Sequence, residues 1–183
     1  MKKLIPFLFV IGLITAMGCE PNNPFAAGPT YDRDANLAID SVKIVAFLDT
    51  ARIDSLYRIH DPSGVVIIVQ EEGEGSRPRT GNVVYADYIG SLMEDGSIFD
   101  TNLEQVARDN DLYVEGRRYT VFNFVMGSGN VISGWDIGFR RVRPKSKGIM
   151  IIPSPWGYRD QTSNSRIPAN SILLFEFDFR GLD

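Results

Sequence analysis

The last hydrophobic run, Ser171 to Phe179, limits most strongly what this chain can fold into. Large apolar side chains occupy every second position, and Glu176 and Asp178 lie between them. Successive side chains of a β-strand point to opposite faces, so this alternation predicts a strand with one buried and one solvated face. The residues predicted to be buried are Leu173, Phe175, Phe177 and Phe179.

Four earlier runs are also typical of strands, because they are short, rich in β-branched or aromatic residues and bounded by turn residues. They are Val65–Gln70, Val83–Leu92, Tyr119–Met126 and Gly148–Ile152. Acidic and glycine residues such as Glu94 to Gly96 separate them. The predicted fold class is α+β: a twisted antiparallel sheet of about five strands wrapped on one short α-helix, with an extra N-terminal helix.

The short helix is predicted to begin within the stretch VISGWDIGF. Ser133 suits the N-cap, Asp136 completes a capping box, and Ile132 and Ile137 occupy the positions of a hydrophobic staple. Three arginines are expected near the helix C-terminus before Pro144 ends it, namely Arg140, Arg141 and Arg143. The spacing of the apolar residues predicts one buried face, made of Trp135, Gly138, Phe139 and Val142.

The N-terminus is typical of an export signal. Two lysines precede an apolar run of 14 residues, Leu4–Met17, which suits a signal sequence better than a membrane span. The following Ala-Met-Gly-Cys resembles a bacterial lipobox, and it predicts cleavage after residue 18 and lipidation of Cys19. The alternative is an ordinary secretory signal with a cysteine near the cleavage site by chance. Residues 19–33, with three prolines, are predicted to be a tether.

A second helix is predicted from about Asp34 to Ile53, because Leu37, Ile44 and Leu48 share one stripe. We expect this helix to lean on the main domain, with dimerisation as the alternative. The predicted organisation is a signal peptide at 1–18, a tether at 19–33, a helical extension at 34–62 and one domain at 63–183.

Composition excludes several classes of function. With 19 Lys+Arg against 23 Asp+Glu and no long basic block, the chain is not expected to bind nucleic acid. One histidine, His60, and one cysteine make a metal site or a Cys/His catalytic pair improbable. No cofactor is expected.

Four segments in order carry a resemblance to a known family: GNVVYADYIGSLMEDGSIFDTN, FNFVMGSGNVISGWDIGF, IPSPWGY and RIPANSILLFEFDF. The chain resembles FKBP-type peptidyl-prolyl isomerases over Ser63 to Asp183, about two thirds of its length. The resemblance implies an enzyme that rotates X–Pro bonds in an apolar pocket without a cofactor. It would act on proline-containing polypeptides, and with the predicted lipid anchor it would assist folding in a bacterial cell envelope.

By position, the resemblance implies three catalytic residues, Tyr88, Asp100 and Tyr158. It also implies a substrate-binding set: Phe99, Phe122, Val131, Ile132, Trp135, Ile167 and Phe175. A proline ring would rest on Trp135, and the Ile132 amide and the Tyr158 hydroxyl would bind carbonyl groups of the ligand. The alternative for each aromatic or aliphatic residue alone is an ordinary place in the core.

The sequence departs from the family at several points. Asn130 stands where an acidic residue is frequent, and Trp156 stands where tyrosine is common. The segment Arg159–Arg166 lacks the histidine often found there. Leu103–Val121 is longer than usual, and its charges favour a tolerated, solvated insertion over a surface that binds client proteins. A non-catalytic, proline-binding lipoprotein and a structural subunit of an envelope complex are the alternative functions.

Overall fold

A computed structural model of the 183-residue chain describes residues 31–161 and 165–183. The predicted signal peptide, Cys19 and most of the tether lie outside the described residues. Within the described ranges, no helix has both the length and the hydropathy needed to span a membrane.

Seven antiparallel strands form one sheet in the described part of the chain, in the order β1-β2-β6-β7-β3-β4, with β5 paired to β3. Their bounds are β1 Tyr57–His60, β2 Val66–Glu71, β3 Val83–Leu92, β4 Ile98–Thr101, β5 Phe122–Val125, β6 Lys147–Ile152 and β7 Leu173–Leu182. Three α-helices accompany them: α1 Arg33–Thr50, α2 Glu104–Asp109 and α3 Ser133–Phe139. The antiparallel α+β prediction is confirmed.

The predicted count of five strands was too low, because β1 and β4 were not recognised. Each has only four residues and, unlike the equally short β5, does not lie within a longer run of β-branched and aromatic residues. β1 lies inside the predicted helical extension, yet it pairs with β2 at the edge of the sheet. Residues 34–62 therefore contain a helix and an edge strand.

Both faces of the sheet are covered by helices. On one face, Trp135 and Phe139 of α3 pack in a cluster with Phe175, Phe177 and Phe179 of β7. On the other face, Ile44 of α1 packs in a second cluster with residues of β2 and β6, among them Ile68, Ile149 and Ile151. The site described below lies on the α3 face.

Helix α3 differs from its prediction at both ends. Ile132 is the N-cap, Ser133 is already helical, and no side chain caps the helix. The Asp136 carboxylate instead accepts a hydrogen bond from the Gly127 amide at 2.7 Å, which ties α3 to the preceding turn. The helix ends at Phe139, so the three arginines follow it. Arg141, for example, pairs with Asp61 rather than with the helix C-terminus.

Helix α1 is fixed to the domain through a buried carboxylate. Asp40 is 2% exposed, and its Oδ2 accepts hydrogen bonds from the Ser154 amide and hydroxyl, both at 2.7 Å. Ser154 begins a 3₁₀ turn, Ser154–Trp156, which is separated from the end of β6 by Pro153 alone. Because a buried carboxylate needs such partners, this pair fixes how the helix lies on the domain.

We expect the Asp40→Ala substitution to lower the free energy of unfolding by about 2–3 kcal/mol, because it removes the shared acceptor of the Ser154 amide and hydroxyl and leaves the buried amide without its partner. Asp49→Ala is the matched control, since Asp49 is an exposed aspartate on the same helix. Urea unfolding of the two variants measures the difference. Equal losses would contradict the role assigned to Asp40.

Candidate functional site

A pocket of about 380 Å³ opens on the α3 face of the sheet. Its lining residues are Tyr88, Phe99, Asp100, Phe122, Asn130, Val131, Ile132, Trp135, Tyr158 and Phe175. Nine of these were predicted as site residues, and the structure brings all nine together. The tenth predicted residue, Ile167, does not line this pocket; its side chain is 4% exposed and is buried in the adjoining core cluster.

Trp135 is held by rings that stand nearly perpendicular to its indole. The ring centroids of Tyr88, Phe122 and Phe175 lie 5.1, 5.5 and 5.2 Å from it, with interplanar angles of 83°, 88° and 88°. Its Nε1 is buried, without a hydrogen-bond partner among the described residues. Edge-to-face packing of this kind fixes the orientation of the indole, so Trp135 presents a rigid apolar surface at the pocket.

Gly90 on β3 allows two aromatic walls of the pocket to meet. A Cβ atom at this position would lie 2.8 Å from ring atoms of both Phe99 and Phe175. The two rings instead pack edge to face across the glycine, with centroids 5.6 Å apart. The glycine that follows Tyr88 and Ile89 in the first quoted segment is therefore required by the packing of the pocket walls.

One hydrogen-bonded pair supplies the polarity of the pocket wall. The Tyr88 hydroxyl donates to Asp100 Oδ2 at 2.6 Å, and the Thr101 amide donates to Asp100 Oδ1 at 2.9 Å. Arg117 donates to the same Oδ1 from both terminal nitrogens at 3.3 Å. The carboxylate is therefore oriented by donors on both oxygens.

Sequence reasoning missed the part played by Arg117. It comes from the insertion 103–121, which was interpreted as a tolerated, solvated excursion, yet it reaches the one carboxylate of the pocket lining. Arg117 lies 17 positions from Asp100 and was one of several charges in its segment. No pattern in the sequence distinguished it from those neighbours.

Two buried polar residues after Asp100 hold the backbone of Tyr88. The Tyr88 amide donates to Asn102 Oδ1 at 2.8 Å, and the Thr101 hydroxyl donates to the Tyr88 carbonyl at 2.7 Å. Thr101 and Asn102 are 1% and 7% exposed. Their position directly after Phe99 and Asp100 in the first quoted segment is the signal by which the sequence could identify them.

The electrostatics of the pocket keep its tyrosines protonated. Burial raises the pKa of Tyr88, and its hydrogen bond to Asp100 raises it further. Burial also raises the pKa of Tyr158, with a smaller contribution from the negative charge of Asp100. Both hydroxyls therefore remain hydrogen-bond donors at neutral pH.

The described residues contain no cluster of three or more His, Cys, Asp or Glu side chains able to hold a metal ion. His60 is exposed on β1 and is not among the residues that line the pocket. What the arrangement offers chemically is an apolar cavity, the neutral hydroxyl donor of Tyr158, and one oriented carboxylate that already accepts the Tyr88 hydroxyl.

The fold and the pocket place the chain among α+β proteins in which an antiparallel sheet wraps on a short helix and an aromatic pocket opens on the helix side. Residues 74–179 match the FKBP-type peptidyl-prolyl cis-trans isomerase family. The chain belongs to this family.

Relatives in other organisms support the assignment. The chain is 30% identical over 115 residues to FK506-binding protein 1 of Dictyostelium discoideum, covering 63% of this chain and 94% of that protein. It is 32% identical over 119 residues to peptidyl-prolyl cis-trans isomerase FKBP53 of Arabidopsis thaliana, covering 64% of this chain. The match spans 22% of the Arabidopsis protein.

Solved structures share the fold. A peptidyl-prolyl cis-trans isomerase from Pseudomonas syringae has a TM-score of 0.60 at 21% identity, with 85% of this chain and 99% of that chain covered. FkpA from Escherichia coli has a TM-score of 0.57 at 22% identity, with 82% and 64% covered.

Proposed function

We propose that the protein catalyses cis–trans rotation of X–Pro peptide bonds in exported polypeptides and so assists their folding. The observation that carries this proposal is an apolar pocket based on Trp135 with the hydrogen-bonded Tyr88–Asp100 pair in its wall. The match to the isomerase family and the similarity to the Arabidopsis isomerase support it.

Rotation about an X–Pro bond is slow because resonance gives the C–N bond partial double-bond character, with a barrier of roughly 18–20 kcal/mol. Twisting the bond removes the resonance and reduces the dipole of the amide. A pocket that takes the amide out of water therefore favours the twisted state over the planar one. Lowering the barrier by ~5 kcal/mol would accelerate the rotation more than a thousandfold.

Each part of the pocket has a place in this mechanism. The proline ring packs on the indole of Trp135, whose orientation the surrounding rings fix. The Tyr158 hydroxyl and the Ile132 amide hold carbonyl groups of the substrate. Asp100 and Tyr88 present a fixed local field to the twisting amide, which requires neither a nucleophile nor a proton transfer.

The test is an isomerisation assay with a proline-containing peptide and the purified full chain. We expect a rate well above the uncatalysed rate. No acceleration, combined with binding of the peptide detected through tryptophan emission, would favour the alternative of a non-catalytic binding protein. The observation that favours this alternative is Asn130 in the pocket lining, where the family often carries an acidic residue.

We also propose that the protein is a lipoprotein of a bacterial cell envelope, anchored through Cys19. Support comes from the apolar run Leu4–Met17 followed by Ala-Met-Gly-Cys. We expect the Cys19→Ala variant to leave the membrane fraction after expression in a bacterial host and to retain its isomerase activity. Continued recovery of this variant with membranes would contradict lipidation as the anchor.

A further inference from the structure

The insertion contains an aromatic stack, formed by Arg108, Tyr113, Tyr119 and Arg117. The Arg108 guanidinium carbon lies 3.5 Å from the centroid of the Tyr113 ring. The rings of Tyr113 and Tyr119 are stacked, with centroids 5.7 Å apart and an interplanar angle of 11°. The Arg117 guanidinium carbon lies 5.2 Å from the centroid of the Tyr119 ring. Residues from both ends of the insertion are thus in contact.

Local contacts hold Tyr119 in the aromatic stack. Its hydroxyl accepts a hydrogen bond from the Val114 amide at 3.0 Å. The backbone between them turns through Gly116, whose φ of +81° favours glycine, and the Arg117 amide donates to the Val114 carbonyl at 3.2 Å. At the far end, Arg108 is paired with Glu104 on α2 at 2.6 Å. The hydroxyl of Tyr119 therefore closes the local turn, while its ring lies against the rings and cations of the aromatic stack.

The other end of the aromatic stack reaches the pocket. Besides its two contacts with Asp100, Arg117 donates to the Thr101 carbonyl at 3.1 Å. The ion pair is partly exposed, since the side chains of Arg117 and Asp100 retain 37% and 42% of their accessible surface. Such pairs contribute little stability by themselves, and holding a long arginine side chain in one rotamer costs conformational entropy. Two further contacts keep Arg117 over Asp100: its bond to the Thr101 carbonyl and its position over the ring of Tyr119.

We propose that Tyr119 is a positioning residue, which holds Arg117 against Asp100 and thereby fixes the carboxylate that receives the Tyr88 hydroxyl. This role depends on the isomerase function proposed above. It makes part of the insertion 103–121 a support for the active site. Its physical basis is preorganisation: a charged group contributes most to a transition state when neighbouring residues have already restricted its position.

The kinetic test is a double-mutant cycle on kcat/KM in the full chain. We expect Tyr119→Leu to lower kcat/KM about two- to fivefold, the range that a cation–π contact supplies, while Tyr119→Phe keeps the ring and the activity. Arg117→Ala should lower kcat/KM at least as much as Tyr119→Leu. Adding Tyr119→Leu to Arg117→Ala should cause no further loss. Tyr57→Leu, at an exposed tyrosine on β1, is the control and should be unchanged.

Two kinetic results would overturn the proposal. One is an equal loss of kcat/KM from Tyr119→Leu in the wild-type chain and in the Arg117→Ala variant. The other is a loss of kcat/KM from Tyr119→Phe as large as the loss from Tyr119→Leu.

A spectroscopic measurement tests the position of Arg117 independently of catalysis. The ¹³Cζ resonance of Tyr88 should move in Tyr119→Leu and in Arg117→Ala, and stay in place in Tyr119→Phe and Tyr57→Leu. If the wild-type chain does not accelerate isomerisation, the proposed function fails, and this resonance still tests the positioning. An unmoved resonance in Tyr119→Leu contradicts it.

Discussion

Gly148→Ala is expected to lower the free energy of unfolding by about 3 kcal/mol or more, because a side chain does not fit between two strands at this position. Gly148 lies on β6, where it pairs with Val69 of β2 and Phe177 of β7. A Cβ atom there would lie 2.1 Å from the carbonyl oxygen of Ile68. The obstacle is backbone rather than a flexible side chain, so relief requires β2 and β6 to separate. The thermal midpoint should fall by about 6–12 °C.

Gly181→Ala provides the matched control for this prediction. Gly181 also lies in a strand, β7, but a Cβ atom there would meet nothing within 4 Å. We expect its free energy of unfolding to stay within about 0.5 kcal/mol of the wild-type value. Thermal and urea unfolding of both variants measure the contrast. If Gly148→Ala and Gly181→Ala lower the free energy of unfolding by similar amounts, the loss comes from the backbone flexibility of glycine and not from the close approach of the strands at Gly148.

The sheet was largely predictable because its long strands have one-sided burial. On β7, Leu173, Phe175, Phe177 and Phe179 are buried as the alternation indicated, and Glu176 is exposed. The strands that escaped prediction have only four residues each, and β1 is stabilised by pairing with β2 rather than by its own pattern. The start of α3 was shifted by one residue because Asp136 bonds the Gly127 amide instead of closing a capping box.

The site was predictable where one ordered motif specified several residues together. Phe99 or Phe122 alone cannot be distinguished in the sequence from an ordinary core residue. The order of the four segments that resemble the family is what predicted that both residues lie in one pocket. Ile167 shows the limit of that reasoning, because its side chain is buried in the core beside the pocket rather than in its lining. Arg117 could not be found this way, since its contact with Asp100 depends on how the insertion folds back.

Removing the Asp100 carboxylate is expected to have the largest effect on activity. Asp100→Ala deletes the acceptor of the Tyr88 hydroxyl and the charged group in the pocket wall. A hydrogen bond to a charged group contributes about 1.5–3 kcal/mol, so kcat/KM should fall roughly tenfold to a hundredfold. Tyr88→Phe removes the donor of the same hydrogen bond and should lower kcat/KM by a similar factor. The assay is isomerisation of a proline-containing peptide at a temperature where each variant is folded.

Because the two groups act through one bond, the double variant should be only slightly slower than the slower single variant. Asp95→Ala is the matched control, since Asp95 bonds Ser97 in an exposed turn and does not line the pocket. Its kcat/KM should equal that of the wild type. A hydrogen bond to a charged group implies a loss of kcat/KM of about tenfold or more. If kcat/KM of Asp100→Ala is instead within about twofold of the wild-type value, the carboxylate has no part in catalysis. Isomerisation would then depend on the exclusion of water by the aromatic walls, and losses should instead follow substitutions of Trp135 and Phe175.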